Sequence, residues 1–200
     1  MSKNSTGTAV TAKPARSMTT KTLAFCALLA ALSVVFARLI IPMPNAFTRF
    51  SVEAVPIFLA GALFGPLAGG LVGFTADLVG CLFSGYGYNP VFCIPPILYG
   101  VCAGLFRGFL SKKLSLPRIF LAFLPAVVFG SILYQSASLS LVYNSKGSFA
   151  ASMAYFLSTR SIQFAVTIVI DAILVHLLFK TKVFERAGVW PPKLRKPAGE

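Results

Sequence analysis

Apolar residues in this chain fall in long unbroken blocks, not in two-residue or half-helix alternation. Blocks near 93–111, 118–143 and 154–180 are each long enough for a ~30 Å hydrocarbon layer at about 1.5 Å per residue. A further block predicts a first helix from Thr22 to Ile41, stopped by "PMP", Pro42 to Pro44. The stretch Ser51 to Phe83 is too long for one crossing, and "FGP", Phe64 to Pro66, interrupts it. Proline disfavours helical geometry in the residue before it, so the pattern predicts a hairpin turning at Gly65-Pro66. The first arm, about 52–64, is then too short to cross fully. It needs shelter from its neighbours or a locally thinned bilayer.

Composition agrees with the pattern. The 200 residues are 56% hydrophobic and 12% charged, with 19 Phe, against about 25% charged in a soluble domain. This is the profile of a polytopic membrane protein of one domain. The net charge of +13 flanks the apolar blocks and does not form a basic face interleaved with aromatics, which excludes a nucleic-acid surface. Lys3, Lys13, Arg16 and Lys21 precede the first block. Arg107, Lys112, Lys113 and Arg118 bracket a middle loop, and Lys180, Lys182, Arg186, Lys193, Arg195 and Lys196 follow the last block. With six spans all of these are cytoplasmic, and only Arg38, Arg49, Lys146 and Arg160 are not; five spans would strand more of them outside. The expectation is an all-α, six-helix membrane domain over 21–183, both termini cytoplasmic, between a disordered tail at 1–20 and a basic tail at 184–200. The basic start followed by an apolar run also matches a cleaved signal peptide. Against that, the run continues to Ile41 and the remaining chain is just as apolar.

Polar groups inside such segments are costly and each asks for a reason. Arg49, Glu53, Tyr86, Tyr88, Asn89, Arg160 and Gln163 belong to the outer half of the six-helix arrangement, and Tyr134, Gln135, Ser136 and Ser138 form a polar patch in helix 5. Two readings are open for Arg49 and Arg160: snorkelling to the interface, or a pocket with cations available for a carboxylate. The loop "SGYGYNP", 84–90, is either an interfacial aromatic belt or a flexible cover that stacks on a flat ring. Asp77 and Asp171 lie deeper and are expected to bond neighbouring helices and not ligand. Gly61, Gly65, Gly69 and Gly73, four apart, suit close helix packing and carry no phosphate-loop motif. Cys26, Cys81, Cys93 and Cys102 are scattered, with no CxxC, and read as small core residues. His176 has no second histidine beside it. Neither a catalytic constellation, a metal site nor a nucleotide-binding motif is visible, so no cofactor is expected and energy must come from a partner or an ion gradient.

Together these stretches resemble the substrate-binding S component of an energy-coupling factor (ECF) vitamin transporter, over residues 22 to 182. The resemblance rests on "ALLAALSVVFA", on "RFSVEAVPIFLAGALFGPLAGGLVGFTADLVG" from Arg49 to Gly80, and on "YGYNPVFCIPPILYG". Within that superfamily the order is most similar to the folate S components: an Arg before a short apolar helix, "LFGP", a Gly-rich stretch ending "ADLxG", then a Tyr/Pro/Phe loop. After Pro90 the run "VFCIPPILYG" departs from the folate pattern. The resemblance implies a vitamin, folate first, held by Arg49, Glu53, Tyr86, Tyr88, Asn89, Gln135, Arg160 and Gln163. It implies partners too: a transmembrane T component and two cytoplasmic ATPases, with the S component toppling in the bilayer to turn its pocket inward. An AxxxA motif on helix 1, here Ala27 and Ala31, would dock against the T component; the alternative is that this stripe packs within the monomer. Two other classes compete, a self-sufficient transporter or channel and a non-transporting scaffold. So does an S component for another water-soluble vitamin.

Overall fold

A computed structural model describes residues 19–38, 41–42, 49–83, 88–143 and 147–191. It is all-helical apart from a two-residue ribbon, β1 (Ile41–Pro42) antiparallel to β2 (Arg49–Phe50), with Ile41 opposite Phe50. The helices are α1 (Thr20–Phe36), α2 (Ala54–Phe64), α3 (Pro66–Leu82), α4 (Ile94–Leu105, entered through a 3-10 turn at Pro90–Cys93), α5 (Arg107–Lys112), α6 (Leu116–Pro125), α7 (Gln135–Tyr143), α8 (Phe149–Lys180) and α9 (Val183–Arg186). A π-helical stretch, Ala126–Tyr134, joins α6 to α7 into one rod.

Among the described residues, six apolar helical stretches are present. Two of them, Leu116–Val142 and Phe149–Lys180, are long enough to cross a membrane by length and composition; the other four have 10–17 residues. Leu67, Leu141 and Ile162 are more than 70% exposed. Large aliphatic side chains turned outward suit a lipid-facing exterior.

The hairpin turns where the sequence predicts. Gly65 ends α2 at φ 103°, a conformation that disfavours any residue with a Cβ, and Pro66 opens α3 at a position where its missing N–H is not needed. Except for Phe64, every residue of α2 is buried, as in a helix enclosed on all sides. The shelter comes chiefly from α3 and α4. Phe58 of α2 stacks on Phe123 of α6, ring centroids 3.9 Å apart. The glycine row does more than tighten the hairpin: a Cβ on Gly61 or Gly69 would strike the Gly100 carbonyl of α4, and one on Gly73 would strike Pro96. Three helices therefore meet backbone to backbone.

Two boundaries differ from the pattern. α1 stops at Phe36 instead of Ile41, closed by the Ala37 and Arg38 amides on the carbonyls of Ser33 and Val35. The Arg38 guanidinium then donates to the Gly80 carbonyl near the end of α3 at 2.6 Å, and Ile41 is already extended. The block at 93–111 breaks at Phe106, which lets Arg107 of α5 donate to the Leu63 carbonyl of α2 at 2.7 Å. A cation on the last carbonyls of a helix satisfies both an orphan acceptor and the dipole.

Candidate functional site

The site is built on one face of α8. Ser152, Phe156, Arg160, Gln163, Thr167 and Asp171 follow one another at three- and four-residue steps, and all are buried. Below Asp171 the same face is apolar, through Ala172, Val175 and Phe179. Repeats of three and four place side chains on one stripe, so the stripe is polar in its first two thirds and hydrocarbon thereafter. Arg160 is 7% exposed and its guanidinium carbon lies 5.9 Å from the Phe164 ring centroid, within cation–π range. The Thr167 hydroxyl donates back to the Gln163 carbonyl at 3.0 Å, which leaves helix integrity intact.

Opposite stands the α6–α7 rod. Pro125 has no N–H to return to the preceding turn, and the ladder widens into the π-helical stretch immediately after it. The wide turns carry Ser131, whose hydroxyl is 2.9 Å from the Tyr99 hydroxyl of α4, both buried. On α7, Ser136, Ser138 and Ser140 are buried too; Ser138 donates to the Tyr134 carbonyl and Ser140 to the Ser136 carbonyl. Tyr99 also meets the Phe123 ring of α6 edge-on, centroids 6.1 Å apart.

The sequence-derived candidates divide accordingly. Arg160 and Gln163 lie inward on the stripe, and Glu53 is half-buried just before α2, where its carbonyl accepts from the Ser33 hydroxyl at 2.8 Å. Gln135 is half-buried at the start of α7. Asn89 caps the turn before α4, its Oδ1 accepting from the Val91 amide at 3.1 Å. Tyr88 is exposed at the same entrance and bonds the Cys93 thiol, which raises its phenol above the usual pKa. Asp77 of α3 stands near Cys93 at the α4 entrance. Tyr86 and the side chain of Arg49 lie outside the described residues; the Arg49 backbone pairs with Pro42. Ala24, Ala27 and Ala31 of α1 face outward while Ala30 is buried.

Sequence reasoning passed over Tyr99 and Ser131. The available signal was a tyrosine inside an apolar helix, since a buried phenol finds a hydrogen-bond partner. A separate groove of about 240 Å³ runs between the α6 rod and α8, lined by Phe120, Leu124, Val127, Phe164 and Ile168 among others. Its walls are hydrocarbon apart from Ser161, whose hydroxyl is engaged by the Leu157 carbonyl. It suits a lipid chain and offers a polar vitamin nothing.

Buried polar side chains therefore line α8, the α6–α7 rod and α4 inside a helical bundle with an apolar exterior. Residues 17–180 match the model of the family described as "ECF-type riboflavin transporter, S component", and the chain belongs to that family of ECF transporter S components. It is therefore an integral membrane protein of a transporter family. The folate transporter FolT of Clostridium novyi (strain NT) is 32% identical over 99 residues, which are 49% of this chain and 56% of that protein, so the match spans about half of each. The crystal structure of FolT bound with folic acid superposes with TM-score 0.67 at 30% identity, covering 82% of this chain and 95% of that one. The S component for biotin (TM-score 0.58, 20% identity, 82% and 95% covered) and ThiT from Listeria monocytogenes (0.61, 17%, 80% and 93%) share the fold.

Proposed function

We propose that this protein binds folate from outside a bacterial plasma membrane and delivers it through an ECF module of one T component and two ATPases. The observation that carries the reading is Arg160, a buried cation on the polar stripe of α8. Folate brings a flat pterin, an aromatic linker and a glutamate with two carboxylates, and a guanidinium is the group that pairs such carboxylates. Arg49, Glu53, Tyr86, Tyr88, Asn89, Gln135 and Gln163 complete the proposed site. The likeness to FolT supports folate; the name of the matching family favours riboflavin as the second reading. Calorimetry of the purified chain against both vitamins decides between them. Tight riboflavin binding without folate binding would replace the first reading by the second.

The proposed topology is six spans with both termini cytoplasmic. Lys21 at the start of α1 donates to the Ala187 carbonyl just after α9 at 2.7 Å, which supports ends on one side. Arg107 holds the inner end of α2, and Arg118 bonds the Lys113 carbonyl in the same basic layer. Arg38 and the end of α3 lie at the opposite pole. The docking face for the T component is the outward row Ala27 and Ala31, flanked by exposed Leu28 and Val35. Small residues there let a partner helix come close.

A further inference from the structure

Among the described residues, no hydrogen bond explains Asp171. It is 2% exposed, and its Oδ1 has no hydrogen-bond partner among the described residues. The Ser136 hydroxyl, wholly buried on α7, is in the same position. A buried carboxylate oxygen left without a donor is destabilising, and such groups in native proteins call for an explanation. In a membrane segment the usual one is a functional site.

Its depth identifies the site. Arg107 fixes the inner end of α2 through the Leu63 carbonyl. The helix has 11 residues, a rise of roughly 16 Å, so Glu53 at its other end stops about halfway through a ~30 Å core. Asp171 lies near that level too, nine residues before α8 ends at Lys180, a rise of roughly 14 Å. Above the short helix the outer half of the bundle is bounded by the polar part of α8. Asp171 is the last polar residue of that stripe before it turns apolar.

We propose that Asp171 is the floor of the vitamin site and reads the heterocycle, its two oxygens accepting the adjacent N–H groups of a 2-amino-4-oxopyrimidine edge. This rests on the folate reading above. The pterin N2–H and N3–H point the same way side by side, and a carboxylate takes two parallel donors as it takes an arginine fork. Arg160 and Asp171 sit on one helix face eleven residues apart, roughly 16 Å along the axis. That separation fits an elongated ligand with its heterocycle at one end and its carboxylates at the other. The flavin ring presents one N–H between two carbonyl oxygens on the equivalent edge, and those oxygens would face a carboxylate. Asp171 thus sets specificity as well as affinity.

The test is calorimetry on the purified full chain and on Asp171→Asn, using folic acid, 2-desamino folic acid and riboflavin. The unmutated protein should bind the 2-desamino compound at least tenfold more weakly than folic acid. Asp171→Asn should lose at least tenfold in folic acid affinity while its affinity for the 2-desamino compound stays within about twofold. If the unmutated protein binds both pterins equally, the floor assignment is overturned although folate binding stands, and that result needs no variant to fold. A variant that weakens both pterins alike marks Asp171 as structural and also overturns it. Riboflavin binding with no folic acid binding removes the folate reading itself.

Discussion

Arg160 shows how much a single buried cation is asked to do. Holding a guanidinium at 7% exposure inside a bundle is costly, and the Phe164 ring lies within cation–π range of it. In the proposed complex a ligand carboxylate adds a charge-assisted contact worth ~1.5–3 kcal/mol. Arg160→Ala should therefore weaken folate binding about tenfold or more, at ~1.4 kcal/mol per decade. Arg49→Ala should do the same, and Lys146→Ala much less. Calorimetry with folate and with a ligand lacking both carboxylates checks it. Equal affinity for the two, unchanged in the arginine variants, would reject the pocket. Arg160 stood out in the sequence because a charge in an apolar block is costly and asks for a reason. Tyr99 and Ser131 did not, since each is an ordinary residue until the π-helical turns bring their hydroxyls to 2.9 Å.

Helices α1 and α3 carry opposite uses of small residues. On α1, Ala27 and Ala31 face outward, so Ala27→Trp or Ala31→Trp should abolish uptake and co-purification of the T component. Folate binding by the isolated protein should stay within a few-fold. Normal co-purification of both variants would put the docking face elsewhere. On α3, Gly69 has no room: a Cβ there would lie 2.6 Å from the Gly61 Cα and strike the Gly100 carbonyl. Gly69→Val should cost about 1–3 kcal/mol through overpacking. Gly80→Ala, with nothing within 4 Å of the new Cβ, should be neutral or slightly stabilising by reducing unfolded-state entropy. Thermal midpoints in detergent distinguish the two, and equal loss from both would contradict the close-packed hairpin. Spacing of four was visible in the sequence. Its target on α4 was not, because a repeat names a face and not the helix that meets it.

At the scale of the whole molecule, several cations of the described residues gather at one pole. Lys21, Arg107 and Arg118 gather with the ends of α1, α2 and α6, while Arg38 sits across the bundle. A cysteine at Ser115 should stay unlabelled by a membrane-impermeant maleimide in intact cells, in a chain without its own four cysteines. A cysteine at Gly147 should label readily. Labelling at Ser115 would sink the six-span arrangement. Apolar block lengths, the proline at 66 and the flanking cations were enough to read the membrane class, the all-helical fold and the hairpin. Those properties are local or additive along the chain: burial in lipid, backbone geometry before proline, charge outside the hydrocarbon. Depth and convergence are different in kind. That α2 is enclosed along nearly its whole length, that Pro125 opens a π-helical stretch toward Tyr99, and that Asp171 Oδ1 has no partner among the described residues all follow from how separate helices pack, where one residue's environment is supplied by segments distant in the chain.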